Sequence, residues 1–293
     1  MNGLISRRMA GIILSLAVAL ALSACSAVKL GYNTLPQLAV WWLDGYLDFT
    51  DEQDPRVRDA VATLHVWHRQ HQLPRVAELL AGIEQITPGE ISPEQACSVV
   101  KEVQSQMKAL AAQAEPAAVA LAATLTPHQL RYLARKFRSK NERFRKDWLA
   151  LSPHEQLEKR YNDTLDRLQT VYGTLDEAQR RVLRERLATT VWDPNRMLAQ
   201  WERRQQDMLQ ILTRASQPDL PAGEAAALLR GWVERLQRPA DPAYAPYQDA
   251  LLQEGCATFA AVHQSTTTEQ RDKAARRLRA WQRDVRELIA QQP

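Results

Sequence analysis

Three histidines at three-residue spacing, His65, His68 and His71 in LHVWHRQHQL, are the first residues whose types could do chemistry. On one helix, successive members neighbour each other and the set spans about 120° of surface, so neutral imidazoles could hold a metal. The outer two, six residues apart, diverge. No matching Asp, Glu or Cys set completes a tetrahedral site. The spacing therefore reads as a polar helix face with Trp67 turned inward, and no cofactor is expected. His128, His154 and His263 are scattered; the first two fall in the first turns of expected helices. The carboxylates Asp48, Asp51, Glu52 and Asp54 mark a helix N-terminus, which favours acidic residues without any catalysis. The sequence carries no GxSxG, HExxH, phosphate-binding loop or GxGxxG. It reads as a binder or scaffold, with an unrecognised enzyme as the third reading.

The cysteines carry more. Arg7 and Arg8 precede an apolar run from Met9 to Leu22, broken only by Ser15, and then Leu22-Ser23-Ala24-Cys25. That run suits a signal-peptide core better than a membrane span of ~20 residues. The tetrapeptide resembles a bacterial lipobox, which implies cleavage after Ala24, a diacylglycerol on the Cys25 thiol and an acylated new N-terminus. Two or more chains, at ~0.8 kcal/mol per buried methylene, give stable anchoring where one does not. Arg7-Arg8 resembles a twin-arginine signal, but Ala10 and Gly11 follow in place of its apolar consensus, so the general secretory route is expected. Ser26, where an aspartate would favour inner-membrane retention, points to the outer membrane, facing the periplasm. Cys97 and Cys256 remain; in an oxidising compartment they are either a disulfide or two unrelated buried thiols.

Charge gives one local signal. The full chain has 38 basic and 34 acidic residues, a net charge of +4, and cleavage would remove Arg7 and Arg8. Such balance, with a periplasmic address, excludes nucleic acid as the expected partner. Locally, Arg131, Arg135, Lys136, Arg138, Lys140, Arg143, Arg145 and Lys146 face only Glu142 and Asp147, with Tyr132, Leu133, Phe137, Phe144 and Trp148 interleaved. This basic amphipathic helix is the candidate surface for anionic lipid, lipopolysaccharide or an acidic protein client. The alternative is a solvated face paired with Glu155, Glu158, Asp163 or Asp166. Trp41 and Trp42, with Leu35, Leu38 and Val40, could touch a membrane interface. Such a run more often forms a core helix of the domain, and that is the expectation.

The elements that position these residues are helices. Only ten glycines occur in 293 residues, and no stretch alternates like a strand. Helical patterns run over 50–71, 74–86, 92–122, 126–149, 152–172, 176–190, 194–215, 221–237, 243–264 and 267–290. The expected fold is all-α, an antiparallel multi-helix bundle or array of about ten helices. A signal peptide (1–24) and a lipidated tether (25–34) precede a main helical domain (35–215). A C-terminal segment (216–293) packs back on it. Chain-adjacent helices joined by short loops are expected to pair. Six starts share one grammar: Thr50 with Gln53, Ser92 with Gln95, Thr126 with Gln129, Ser152 with Glu155, Asp176 with Gln179 and Thr267 with Gln270. Each reads as a capping box, in which the N-cap oxygen accepts from the backbone three residues on and the Gln or Glu reaches back.

Two stretches, LGYNTLPQLAVWWLDGYLDFTDEQ (30–53) and HQSTTTEQRDKAARRLRAWQRDVREL (263–288), resemble an uncharacterised family of proteobacterial lipoproteins, with the lipobox, LTPHQ and the basic helix between them. The resemblance spans nearly the whole chain after residue 24. It implies an all-helical, membrane-anchored protein and supplies no ligand or catalytic residue. LTPHQ, with LDEAQ as a degenerate second copy, is also similar to the LTxxQ motif of Spy/CpxP-type periplasmic chaperones. That similarity covers residues 125–190 and implies cradling of unfolded envelope proteins.

Overall fold

A computed structural model describes residues 28–239 and 241–291; the signal peptide and Cys25 lie outside them. The regular structure of the described residues is all helix, with no strand among them. Helix α1 covers 28–47. It is followed by α2 (Gln53–Trp67), α3 (Leu73–Ile86), α4 (Pro93–Ala122), α5 (Pro127–Phe144), α6 (Pro153–Tyr172) and α7 (Glu177–Ala188). Then come α8 (Pro194–Ala215), α9 (Ala222–Gln237), α10 (Ala245–Ser265) and α11 (Thr268–Ala290). No helix among the described residues is long and apolar enough to cross a membrane.

Boundaries follow local chemistry. Capping boxes close at Ser92, Thr126, Ser152, Asp176 and Thr267. The sixth is half-formed: Thr50 N–H donates to Gln53 Oε1 at 3.1 Å, but the helix begins at Gln53 without a side-chain cap. The expected break before Pro74 is a π-helical turn, His68–Gln72, that runs α2 into α3. Proline lacks the N–H of a regular helix and its ring crowds the carbonyl four residues back, and a widened turn accommodates both. The tether is also corrected. Residues 28–34 are already helical, and Tyr32 is buried against Leu73, Val285 and Leu288.

Packing joins helices that are mostly far apart in sequence. Glu84 pairs with Arg279, while Leu73 meets Leu288, so α3 and α11 run antiparallel. Asn141 bonds Gln205 and Arg145 pairs with Glu202, which sets α5 antiparallel to α8. Glu115 with Arg230, and Val119 and Ala122 near Ala225, do the same for α4 and α9. Of the chain neighbours, α6 with α7 and α8 with α9 form close pairs. Elsewhere the apolar stripe of each helix, rather than loop length, chooses its partner: Ala274 faces the α6–α7 core while Val285 and Leu288 face α3. Helices after residue 216 therefore lie along α3, α4, α6, α7 and α8.

Two glutamine clamps pin helix starts together. Gln129 Nε2 donates to Asp48 O at 3.0 Å and to Gln53 Oε1 at 2.6 Å, and Gln53 Nε2 donates to Thr124 O at 3.0 Å. Gln179 Nε2 reaches Ser265 O at 3.0 Å and Gln270 Oε1 at 2.7 Å, while Gln270 Nε2 reaches Thr174 O at 2.9 Å. In all four cases the accepting carbonyl lies two residues before the partner's expected N-cap. Asp48, at φ 52°, and Gly173, at φ 81°, turn the chain just where two of those carbonyls are presented.

Candidate functional site: an apolar cleft beside the disulfide

An apolar cavity of about 460 Å³ lies between α3, α4, α6, α10 and α11. Ile83 and Ile86 line it from α3, Val99 and Val100 from α4, Leu251, Leu252 and Phe259 from α10, and Leu278 and Trp281 from α11. Most of these side chains are half-buried: apolar residues at helical core spacing whose inner faces meet space instead of one another. Gly255 also lines the wall, and a Cβ there would meet nothing within 4 Å. Val100 stands exposed at the rim, and the exposed Val103 and Met107 extend the apolar surface along α4 at helical spacing.

Cys97 and Cys256 are joined as a disulfide, Cα–Cα 5.4 Å, linking α4 to α10 at this cleft; Cys256 is part of its wall. Tyr172 forms the floor. Its hydroxyl lies 2.8 Å from His263 Nδ1, and His263 Nε2 lies 2.8 Å from Gly89 O. The carbonyl can only accept, so Nε2 carries the proton and Nδ1 accepts from the tyrosine. Burial pushes the His263 pKa down, partly offset by the Gly89 bond, with nearby Arg271 also lowering it. Burial raises the Tyr172 pKa.

Two other polar side chains of the wall make local bonds. Thr87 Oγ1 donates to Ile83 O at 2.7 Å, and Gln95 Oε1 at the rim accepts the Ser92 N–H at 2.8 Å. A charged ligand finds no opposite charge in this wall. An apolar ligand displaces only water from apolar wall, worth roughly 25 cal/mol per Å² covered. The volume falls within the ~300–1,000 Å³ usual for small-molecule sites.

Apart from Cys97 and Cys256, the residues singled out from sequence lie elsewhere. His65 Nε2 bonds Tyr32 O at 3.1 Å, and His68 Nδ1 meets the Tyr32 hydroxyl at 3.0 Å, so these two latch α1 to α2. Burial lowers the pKa of both. His71 turns away and stacks on Trp67. Among the described residues no group of three ligating side chains could hold a metal. On α5, Arg131, Arg135 and Arg138 are exposed, and Arg135 and Lys136 stand over the Tyr132 ring; just past its end, Arg145 pairs with Glu202. The acidic neighbours expected to neutralise this helix do not do so. Glu158 pairs with Arg184 instead. Trp41 and Trp42, expected in the core, are 73% and 56% exposed.

A model described as a family of unknown function (DUF6279) matches residues 45–225, more than half of the chain. The chain belongs to that family. The DUF6279 match takes in α3, α4 and α6 of the cleft; α10 and α11, which supply the opposite wall, lie beyond it. Among curated proteins no match is found, and none among solved structures.

Sequence reasoning missed the cleft because its walls come from segments some 150 residues apart, and each reads alone as ordinary core. Gly255 was the available signal: a glycine inside an otherwise strong helical pattern has a packing or functional reason.

Proposed function

We propose that this is a lipid-anchored protein of the bacterial envelope, a member of a proteobacterial lipoprotein family, that binds an apolar ligand in the cleft. In this reading Cys25 carries the anchor and the helical body faces the periplasm from the outer membrane. The observation that carries the binding site is the wall itself: a cavity lined almost wholly by apolar side chains, with no charged group among them. The class that fits is an uncharged chain or ring system, such as the acyl chain of a lipid. The reading is of a binder, since the wall carries no carboxylate, imidazole, amine or free thiol.

The experiment is fluorescence titration of the full, unreduced protein with N-phenyl-1-naphthylamine, followed by displacement with a long-chain fatty acid. Saturable, displaceable enhancement supports the reading. A folded, helical protein that gives no enhancement refutes it.

A chaperone-like role is the second reading, and the exposed Val100, Val103 and Met107 favour it by extending the cleft into a stripe that suits a longer client. It does not rest on LTPHQ, whose Gln129 is spent in the clamp. Residues 125–190 supply only Val171 and Tyr172 to the cleft. Suppression of client aggregation by the full protein tests this reading; no suppression at equimolar protein removes it.

A further inference from the structure

Helix α1 leaves one face uncovered. Its inner side is held firmly: Tyr32 and Val40 are buried, Asn33 bonds Arg69 at 2.7 Å, Lys29 pairs with Glu287, and Tyr46 lies 6.4 Å from the Phe137 ring of α5. The opposite side carries Leu35, Leu38, Trp41 and Trp42, all exposed, and Asp44 is the only ionisable carboxylate or base between Leu30 and Leu47. The helix is about 30 Å long. An outward apolar face of this kind on a fixed helix marks an interaction site.

Three observations say what covers it. First, Cys25 stands three residues before the first described turn, so a lipid there lies within ~11 Å of chain from α1. Second, the paired tryptophans suit the headgroup level, where indole rings settle with their apolar bodies inward. Third, the C-terminal end of α1 abuts α5 through Tyr46 and Phe137, and α5 turns out Arg131, Arg135 and Arg138 with no ion pair among the described residues. Each cation near an anionic leaflet is worth about 1 kcal/mol, roughly fivefold in partitioning. No described helix can span a bilayer, so this one would lie on it.

We propose that the face of α1 formed by Leu35, Leu38, Trp41 and Trp42 docks on the anionic membrane surface that holds the lipid anchor, with the arginines of α5 meeting its phosphates. The proposal rests on the anchored reading given above. Docking would fix the orientation of the helical body, where an acyl anchor alone leaves it free to tumble on a tether.

The test uses the full acylated protein in vesicles of phosphatidylglycerol and brominated phosphatidylcholine. Flotation reports the anchor, and quenching of tryptophan emission by bromine reports docking. The expected result is flotation with strong quenching that Trp41→Phe with Trp42→Phe removes, and that falls several-fold when phosphatidylglycerol is omitted. Flotation with no quenching, or with quenching indifferent to both substitutions, overturns docking and leaves the anchor standing. A protein without acyl mass that fails to float overturns the anchor and the docking together. A cross-linkable pair through α1, with tryptophans shielded from bromine, assigns the face to a second copy and overturns the membrane as its occupant.

Discussion

Replacing Gln129 by glutamate separates two roles that one motif combines. In the box opened by Thr126, Gln129 Oε1 accepts the Thr126 N–H at 2.9 Å, and a carboxylate would do that equally well. The clamp needs the amide. Gln129 is 2% exposed, and its Nε2 donates to Asp48 O and Gln53 Oε1. A carboxylate accepts only, so Gln129→Glu turns both contacts from attractive to repulsive and buries a charge against two oxygens. Asp48 O loses its donor, at about 1–3 kcal/mol, while Gln53 Oε1 keeps the Thr50 N–H but faces a buried carboxylate. We expect a total loss of roughly 3 kcal/mol, discounted for water that enters the gap. Gln95 occupies the same motif position at the start of α4, but it is exposed and reaches no second helix. Gln95→Glu should shift stability by less than about 0.5 kcal/mol. Urea unfolding followed by circular dichroism measures both, with the m-value as a check that the compared states are the same. If Gln129→Glu proves as harmless as Gln95→Glu, the clamp contributes nothing and LTPHQ is only a helix start.

Other perturbations have definite signs. Removing the disulfide with Cys97→Ala and Cys256→Ala frees a closed loop of sequence separation 159, worth up to about 5 kcal/mol in the chain-entropy model, and loosens a cleft wall. Both the urea midpoint and probe affinity should fall; an unchanged midpoint contradicts the assigned link. His263 has a folded-state pKa below its ordinary 6.5, so the unfolded chain binds the proton first as pH drops. Its contribution is whole above 6.5 and is lost below it, by at most ~1.4 kcal/mol per pH unit from this residue. Stability measured from neutral pH to about 5 should show this slope, and His263→Gln should reduce it; His65 and His68 shift the same way and account for a remainder. Arg135→Glu with Arg138→Glu should leave stability within ~0.5 kcal/mol of wild type while weakening association with anionic vesicles. Arg145→Glu, placed against Glu202, should instead destabilise the α5–α8 contact, read in the same urea titration.

The helices were legible because their starts are written in side chains. Ser92, Thr126, Ser152 and Asp176 cap where expected, and Pro116 sits inside α4 without ending it, as the unbroken 92–122 pattern implies. The Gln–Gln pairing was not legible. Periodicity shows which glutamine closes its own helix but not which distant helix its amide will meet. One signal was present: glutamine, not glutamate, stands at the third position of the four clamped starts, and only the amide can donate. Apolar periodicity also placed Trp41 and Trp42 inside. It locates an apolar face without saying whether protein covers it, and α1 has apolar residues on both sides. The cleft escaped for a related reason, since Ile86, Val99 and Leu252 show helical core spacing whether their faces meet a neighbour or a void.

Gly255→Leu tests the binding claim most directly. A side chain at Gly255 projects into open space on the cleft wall, and it replaces a glycine inside α10 that costs the helix about 0.5–1 kcal/mol. The expected result is equal or higher stability together with loss of naphthylamine binding, a pair of opposite changes that misfolding cannot produce. A stable variant that binds the probe as the wild type does would place the ligand elsewhere and contradict the cleft as the site.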